Sequence, residues 1–229
     1  MISAALKNLP QMSYAGKEAI NTLCMNLTFS GEHIQKILLT SCHASEGKTF
    51  LALNIVRTLA KLDKKAVLVD CDLRRSSIAR KYLDHREGPV KGLAHYLSGL
   101  ASMDNVLYQV ANVPNMAIVP CGRHVSNPLP LISSSKLQEL LDGLAERMEY
   151  VIVDAPPVGV LIDAAKIATS CDGTLLVVNY NAVRKQELIH AQEQLEQSGC
   201  PILGTVINRA DFGNYLSRKQ YYSQYYDRQ

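Results

Sequence analysis

The 229-residue sequence contains no tryptophan and only three phenylalanines, and no stretch approaches the roughly 20 apolar residues of a membrane-spanning helix. Its first residues also lack the apolar core of a secretory signal. The formal net charge is only +3, from 24 basic and 21 acidic side chains, which does not indicate a nucleic-acid-binding surface. These absences predict a cytoplasmic chain that spans no membrane and has no nucleic-acid partner.

A disulfide framework is also missing. No CxxC pair occurs, and the six cysteines are scattered at positions 24, 42, 71, 121, 171 and 200. Such spacing predicts reduced thiols that pack as small hydrophobic side chains. Apolar residues make up 47% of the chain and charged residues 20%, which is typical of a globular protein with a substantial core.

Short apolar segments alternate with segments of helical periodicity. Strands are predicted at 37–40, 66–69, 150–153, 174–179 and 202–208, and helices at 17–29, 47–61, 92–98, 133–147 and 183–198. All-apolar strands that alternate with helices are typical of a parallel sheet buried on both faces. The sequence therefore predicts an α/β fold, with a mostly parallel sheet and helices on both sides.

Three regions follow from this pattern. Residues 1–16 have few apolar positions in any period and are predicted to be a flexible amino-terminal arm, and residues 17–210 form the folded domain. Residues 211–229 have almost no aliphatic content and are predicted to be a flexible tail. Five of the eleven tyrosines lie in the last fifteen residues, at Tyr215, Tyr221, Tyr222, Tyr225 and Tyr226.

The segment after the first predicted strand fits a phosphate-binding loop. Residues 42–49 read CHASEGKT and precede a helix, which is the context of a Walker A motif, although Cys42 replaces its first glycine. Lys48 is expected to be exposed there and to neutralise phosphate charge, and the Thr49 hydroxyl is a candidate ligand of Mg²⁺. A chance Gly-Lys-Thr in an ordinary turn is the alternative. The nucleotide-binding residues of this loop are predicted to be His43, Ala44, Ser45, Glu46, Gly47, Lys48, Thr49 and Phe50.

Three carboxylates follow two other predicted strands. Asp70 and Asp72 end one strand, and Asp154 ends another. Ligands of parallel α/β sheets bind at the carboxyl ends of strands, so these side chains are expected beside the phosphate loop. There they can hold the water shell of a metal ion and accept a proton from a hydroxyl. The alternative is that an aspartate merely caps the following helix.

With these motifs assembled, the chain resembles the bacterial tyrosine kinase (BY-kinase) family of the capsule and exopolysaccharide type. The residues that carry the resemblance are 46–49, the Asp70-x-Asp72-x-Arg74 element, the Asp154-x-Pro156-Pro157 element and the tyrosine-rich tail. The resemblance implies a P-loop NTPase-like fold, ATP and Mg²⁺ as cofactors, and phosphorylation of the five tail tyrosines, chiefly between subunits.

The resemblance also implies individual roles. Lys48 and Thr49 would hold phosphates and Mg²⁺, while Asp70, Asp72 and Asp154 would serve the metal, with Asp70 the preferred proton acceptor. Asn208 and Arg209 match the family's adenine-side loop. In relatives built from separate chains, the cytoplasmic tail of a membrane modulator activates the kinase. The expected partners are such a modulator at the inner face of the membrane, further copies of the chain and a cognate phosphatase.

One departure concerns assembly. The family's oligomerisation helix has the pattern Glu-x-x-Arg-x-x-Arg, whereas this chain has Glu18, Asn21 and Cys24. Two alternative functions also remain at this point. A partition-type ATPase of the deviant Walker A class would have a signature lysine where this chain has His43. A nucleotide-dependent scaffold would bind ATP and regulate a polysaccharide machine without phosphorylating anything.

Overall fold

The computed structural model describes residues 2–9, 11–31, 33–84 and 88–210. Within these ranges the strands are β1 (Ile2–Leu6), β2 (Lys36–Ser41), β3 (Ala66–Asp70), β4 (Leu83–Asp84), β5 (Tyr108–Val110), β6 (Met116–Val119), β7 (Tyr150–Asp154), β8 (Gly173–Asn179) and β9 (Ile202–Asn208). The α-helices are α1 (Tyr14–Thr28), α2 (Lys48–Lys61), α3 (Ile78–Tyr82), α4 (Leu93–Leu97), α5 (Leu129–Ile132), α6 (Ser135–Ala145), α7 (Asp163–Ala168) and α8 (Lys185–Glu196).

The strands form one sheet in the order β4-β1-β5-β6-β3-β7-β2-β8-β9. Adjacent strands are parallel except in the pairs β1 with β4 and β5 with β6. The central strands β3, β7 and β2 are buried along their length, because helices cover both faces of the sheet. The structure confirms the predicted α/β class and the mostly parallel sheet.

Two cores lie on opposite faces of the sheet. Alternate side chains of β3 point to opposite sides, so that Val67 and Val69 contact one core and Ala66 and Leu68 the other. Helices α4 to α8 cover the first core, and helices α1, α2 and α3 cover the second. Within the described residues, no helix has both the length and the apolar content needed to cross a membrane.

The predicted flexible arm over residues 1–16 is wrong for residues 2–6, and residues 14–16 already belong to α1. Residues Ile2–Leu6 form β1, which pairs with β5 in parallel and with β4 in antiparallel orientation. Ala4 and Leu6 are buried in this arrangement. The sequence ISAAL has little intrinsic strand preference, and the strand is stabilised by pairing with segments far along the chain, as Ala5 with Asp84 and Ile2 with Tyr108. The other three strands that the sequence missed, β4, β5 and β6, are two to four residues long.

Candidate functional site

Residues 42–47 connect β2 to α2 and form a tight loop, as predicted for a phosphate-binding segment. Gly47 has φ +91°, and a Cβ atom there would lie 2.1 Å from Asn208 Nδ2, so that only glycine fits. Ser45 also has a positive φ of 64°. Cys42, in contrast, is buried and does not have a positive φ. Cysteine can therefore replace the first glycine of the motif, because the backbone at position 42 does not adopt a conformation that favours glycine.

The carboxylate of Glu46 ties this loop to the sheet. Glu46 is buried, and its oxygens accept hydrogen bonds from the backbone N–H groups of His43 at 2.7 Å and Asn179 at 3.1 Å. Asn208 Nδ2 donates to the Glu46 carbonyl at 2.8 Å, and Arg209 Nη2 donates to the Ser45 carbonyl at 3.0 Å. The ends of β8 and β9 thus hold the loop from one side.

The remaining predicted loop residues lie around this framework. His43 Nε2 lies 3.4 Å from the carboxylate of Glu187 on α8. Ala44 is exposed, and Phe50 is half-buried in the first turn of α2. The structure thus brings His43, Ser45, Glu46 and Gly47 together with Asn208 and Arg209, whereas the side chains of Ala44 and Phe50 make no hydrogen bond to them.

Lys48 is buried, and the expectation that it would be exposed is wrong. Its ammonium group donates a hydrogen bond of 2.8 Å to Ser41 Oγ, the last residue of β2, and only 8% of the residue is accessible. Burial lowers the pKa of Lys48, an effect opposed by the charges of Asp154, Asp72 and Glu46. The loop thus contains a desolvated cation with acidic groups nearby.

Asp70 and Asp154 occupy equivalent positions on neighbouring strands. They are register partners in the parallel pair β3–β7, and both side chains are buried. Thr49 Oγ1 donates to Asp154 Oδ2 at 2.5 Å, while Asp70 Oδ2 accepts from the Ser76 hydroxyl and from the Cys121 N–H at 3.3 Å. In each carboxylate the other oxygen, Oδ1, is buried without a hydrogen-bond partner.

Without a bound cation, the surroundings of these two carboxylates disfavour their ionised forms. Burial raises the pKa of Asp154 to about 6, although the Thr49 hydrogen bond and the Lys48 charge act against it. Burial also raises the pKa of Asp70 well above its ordinary value, and the charge of Asp154 adds to the effect. Two buried acidic groups with unused oxygens are the arrangement expected where a cation binds.

Asp72 has a different environment from the other two aspartates. It is half-buried, and its Oδ1 accepts hydrogen bonds from the backbone N–H groups of Arg74 at 3.3 Å and Arg75 at 3.0 Å. Asp72 therefore closes the turn after β3 and does not cap the following helix α3, whose N-cap is Ser77. Its charge still acts on Lys48, Asp70 and Asp154, so it belongs to the same electrostatic cluster.

The residues present fit a Mg²⁺ ion that retains part of its water shell. The described residues contain no group of three or more His, Cys, Asp or Glu side chains arranged to enclose a metal. Mg²⁺ is usually held by one or two carboxylates together with water and substrate phosphates, so an enclosing group is not needed. The unpaired oxygens of Asp70 and Asp154 and the Thr49 hydroxyl are the groups that would hold it, with Asp72 close enough to act through its charge.

Several supporting contacts were not identified from the sequence. Ser41 receives the Lys48 hydrogen bond, and Ser76 donates to Asp70. Arg74 forms an ion pair with Asp163 at the start of α7, with Nε 2.6 Å from Oδ2. Ser41 immediately precedes the loop and Ser76 follows the Asp70 element, but a lone serine in either place gives no signal. The five tail tyrosines, Tyr215, Tyr221, Tyr222, Tyr225 and Tyr226, lie outside the described residues.

Helix α1 contains the three positions of the family's assembly motif, of which Glu18 matches the motif while Asn21 and Cys24 replace its arginines. Glu18 and Asn21 are exposed and hydrogen-bonded to each other at 3.2 Å. Cys24 is fully buried, and its thiol points to the Ile55 carbonyl of α2 at 3.7 Å. Cys24 is therefore part of the core, and burial raises the pKa of its thiol to about 12.

Comparisons with known proteins agree with this geometry. A family described as an AAA domain matches residues 35–198. The chain is 32% identical to the tyrosine-protein kinase CpsD of Streptococcus agalactiae over 88% of its own length and 90% of the relative's. It is 36% identical to the CpsD of Streptococcus pneumoniae over 85% of each chain. The crystal structure of the VpsO kinase domain superimposes with a TM-score of 0.76 at 30% identity, covering 87% of this chain and all of that one.

The partition-type alternative receives less support. The cell division ATPase MinD of Pyrococcus furiosus superimposes with a TM-score of 0.62 at 23% identity, which shows a common fold alone. His43 stands where that class has its signature lysine. The kinases match more of the chain at higher identity. The chain therefore belongs to the AAA domain family and, within it, to the bacterial tyrosine kinases.

Proposed function

We propose that this protein is an ATP-dependent protein-tyrosine autokinase that phosphorylates its own carboxyl-terminal tyrosine cluster, mainly between subunits, and regulates the synthesis and export of capsular or extracellular polysaccharide. The observation that carries the proposal is the pair of register-matched, buried carboxylates, Asp70 and Asp154, each with an unpaired oxygen beside the phosphate loop. In a chain of this family, such a pair suits Mg-nucleotide chemistry.

Each proposed role follows from a local contact. Lys48, held by Ser41, supplies positive charge at the phosphates of ATP, and Gly47 lets the backbone approach them closely. Thr49 and Asp154 are already hydrogen-bonded and would share the Mg²⁺ ion, which neutralises phosphate charge when bound. Asp70 is the proposed acceptor of the tyrosine hydroxyl proton, because its desolvation favours the protonated form. Asn208 and Arg209 lie where the adenine side of the loop is proposed.

The proposal extends to partners and location. A membrane modulator whose cytoplasmic tail activates the kinase would bring it to the inner face of the membrane, and a cognate phosphatase would reverse the reaction. Further copies of the chain would assemble through α1 with contacts other than those of the family motif, because Cys24 is buried. The tail would span residues 211–229 and the kinase domain residues 17–210, preceded by β1.

A mixing experiment tests transfer between subunits. One partner is the full chain with Lys48→Met and an intact tail, and the other is an active full chain whose five tail tyrosines are changed to phenylalanine. We expect phosphotyrosine on the Lys48→Met partner, detected by mass spectrometry. If none appears while the unmodified chain phosphorylates itself at a rate independent of its concentration, transfer occurs within one chain. If the unmodified chain gains no phosphate from ATP, the scaffold alternative holds instead.

A further inference from the structure

A basic cleft of about 490 Å³ lies beside the proposed proton acceptor, within the size range of ligand-binding clefts, about 300–1,000 Å³. Its lining residues include Arg74, Arg75, Ser76, Arg80, Cys121 and His124. Two of these, Ser76 and Cys121, are the residues whose groups hydrogen-bond to Asp70 Oδ2. The cleft and the carboxylate of Asp70 therefore share a wall.

Two arginines of this cleft are available for a ligand. Arg74 is occupied, because its guanidinium pairs with Asp163 and also donates to the Ser126 carbonyl at 3.2 Å. Arg75 and Arg80 are exposed, and their guanidinium groups make no hydrogen bond or ion pair with any residue that the structure describes. The nearby carboxylate of Asp72 is already hydrogen-bonded to backbone amides. The cleft thus presents two free forks of the kind that bind phosphate in a bidentate manner.

The unmodified tail is a poor ligand for such a cleft. Residues 211–229 contain Asp211 and Asp227 against Arg218, Lys219 and Arg228, which gives two negative and three positive charges. One phosphate on a tyrosine adds about −1.5 to −2 charges and makes the tail net negative. We propose that the cleft binds a phosphotyrosine, so that a tail already phosphorylated on one tyrosine is the preferred substrate for the next transfer. This inference rests on the proposed function.

The spacing of the tail tyrosines suits this arrangement. Tyr221 and Tyr225 are four residues apart, as are Tyr222 and Tyr226, and an extended segment of that length spans at most about 14 Å. Because the cleft and Asp70 share Ser76 and Cys121, one short segment can place a phosphotyrosine in the cleft and an unmodified tyrosine at the carboxylate. Phosphorylation would then proceed along the cluster without release of the tail.

Peptide kinetics test the inference. The enzyme is the full chain with its five tail tyrosines changed to phenylalanine, and the substrates are synthetic peptides of residues 211–229 with either tyrosine or phosphotyrosine at position 225. Charge-assisted hydrogen bonds from two arginines should lower KM for the phosphorylated peptide about tenfold. Arg75→Ala combined with Arg80→Ala should bring the ratio of the two KM values to about one. Arg57→Ala combined with Lys61→Ala removes two charges from α2 and should leave the tenfold ratio intact.

The outcomes separate this inference from the proposed function. Equal KM values for the two peptides in the parent chain would overturn the phosphotyrosine site while leaving the kinase in place. If a peptide with glutamate at position 225 showed the same decrease in KM as the phosphorylated peptide, that result would also overturn the phosphotyrosine site, in favour of a site for acidic residues. Failure to phosphorylate either peptide would instead refute the proposed function.

A binding measurement tests the phosphotyrosine site independently of catalysis. With the phosphate loop filled by Mg-ADP, calorimetry should detect binding of free O-phosphotyrosine but not of tyrosine. The Arg75→Ala and Arg80→Ala pair should raise the dissociation constant at least tenfold, and the Arg57→Ala and Lys61→Ala pair should not change it. Equal affinity in the two double variants would place the phosphotyrosine elsewhere and refute the assignment.

Discussion

Carboxylates at the two ends of the parallel strands have opposite surroundings. At the amino ends, Asp172 Oδ2 accepts hydrogen bonds from the backbone N–H groups of Gln35 at 3.1 Å and Lys36 at 2.7 Å. Glu149 accepts from Lys64 Nζ at 2.8 Å and from the Lys65 N–H at 2.9 Å. The hydrogen bond from Lys64 lowers the pKa of Glu149. Acidic groups at this end are partly exposed, paired and compatible with a folded protein at neutral pH.

At the carboxyl ends, the same kind of side chain is buried and incompletely paired. Asp70 and Asp154 each have an oxygen without a partner, and burial raises the pKa of both. Lys48 is buried beside them and has a lowered pKa. This end therefore opposes folding in the absence of a ligand, which is typical of functional sites. The comparison indicates that ligand binding, rather than stability, explains the charged residues at the carboxyl ends.

The largest expected effect is on catalysis. Lys48→Met should reduce tail phosphorylation on the order of 10³-fold or more, because it removes the positive charge at the transferred phosphoryl group. The variant should still fold, since methionine fills the buried position without a desolvated charge, although the hydrogen bond to Ser41 and the attraction to Asp154 are lost. Phosphorylation is followed by mass spectrometry and unfolding by circular dichroism. Unaltered phosphorylation in a folded variant would remove the phosphate-loop assignment.

Asp70→Asn should lower the rate of tyrosine phosphorylation by about 10²–10⁴-fold, because asparagine cannot accept the proton. Affinity for Mg-ADP should fall less than the rate does, since Asp70 would be only one of the groups that hold Mg²⁺ and Lys48, Thr49 and Asp154 are untouched. The measurement is kcat for a tyrosine peptide alongside the dissociation constant for Mg-ADP. A variant that keeps its full rate would show that Asp70 is not the proton acceptor.

Asp154→Asn should weaken binding of Mg²⁺ and stabilise the ligand-free protein at the same time. A carboxyl pKa raised from 3.8 to about 6, a value that already includes the attraction to Lys48, opposes folding at pH 8, so a net stabilisation of about 1–3 kcal/mol is expected. The matched control, Asp172→Asn at the amino ends, should destabilise. Urea unfolding measures both. If both variants changed the free energy of unfolding in the same direction, the result would contradict the comparison of the strand ends.

The pH dependence of stability and of Mg-ADP binding should follow the titration of the Asp154 carboxyl group. Between pH 3.8 and about 6 the folded protein binds more protons at this group than the unfolded chain does, so this contribution to stability is present at low pH and is lost as pH rises through about 6. Binding of Mg²⁺ needs the ionised form, so affinity for Mg-ADP should increase over the same interval. Titration calorimetry at several pH values checks this, and Asp154→Asn should weaken the dependence, leaving only the contribution of Asp70 and the nucleotide.

The smallest effect is expected at the amino ends. Lys36→Met removes the ion pairs with Asp142 at 2.7 Å and with Asp172 at 3.5 Å, and the Asp142 side chain is half exposed. Solvent-screened pairs contribute about 0.2–1 kcal/mol, so stability should fall by at most about 1 kcal/mol and the kinase rate should stay within twofold. Urea unfolding and a peptide assay test this. A large loss of activity would mean that the two ends are coupled.

Much of the fold was predictable because its elements have local signals. The all-apolar segments that became β2, β3, β7, β8 and β9 and the periodic segments that became α1, α2, α6 and α8 were all identified from the sequence. The strands β1, β4, β5 and β6 were not, because they are short or have weak strand preference. Their formation depends on pairing with distant segments, as Ile2 with Tyr108 illustrates.

The features of the site also divide into those that the sequence predicts and those that depend on the tertiary structure. The sequence by itself determined the phosphate loop, the positions of Asp70 and Asp154 at strand ends, and the family resemblance, because each depends on residue types at short fixed spacing. Only the tertiary structure decided that Asp70 and Asp154 are register partners, that Lys48 is buried against Ser41, and that Asp72 caps a turn. It also decided that Arg75 and Arg80, which have no side-chain partner among the residues that the structure describes, line a cleft next to Asp70. Burial, strand register and pairing are properties of segments far apart in the chain, and these come together only when the sheet forms.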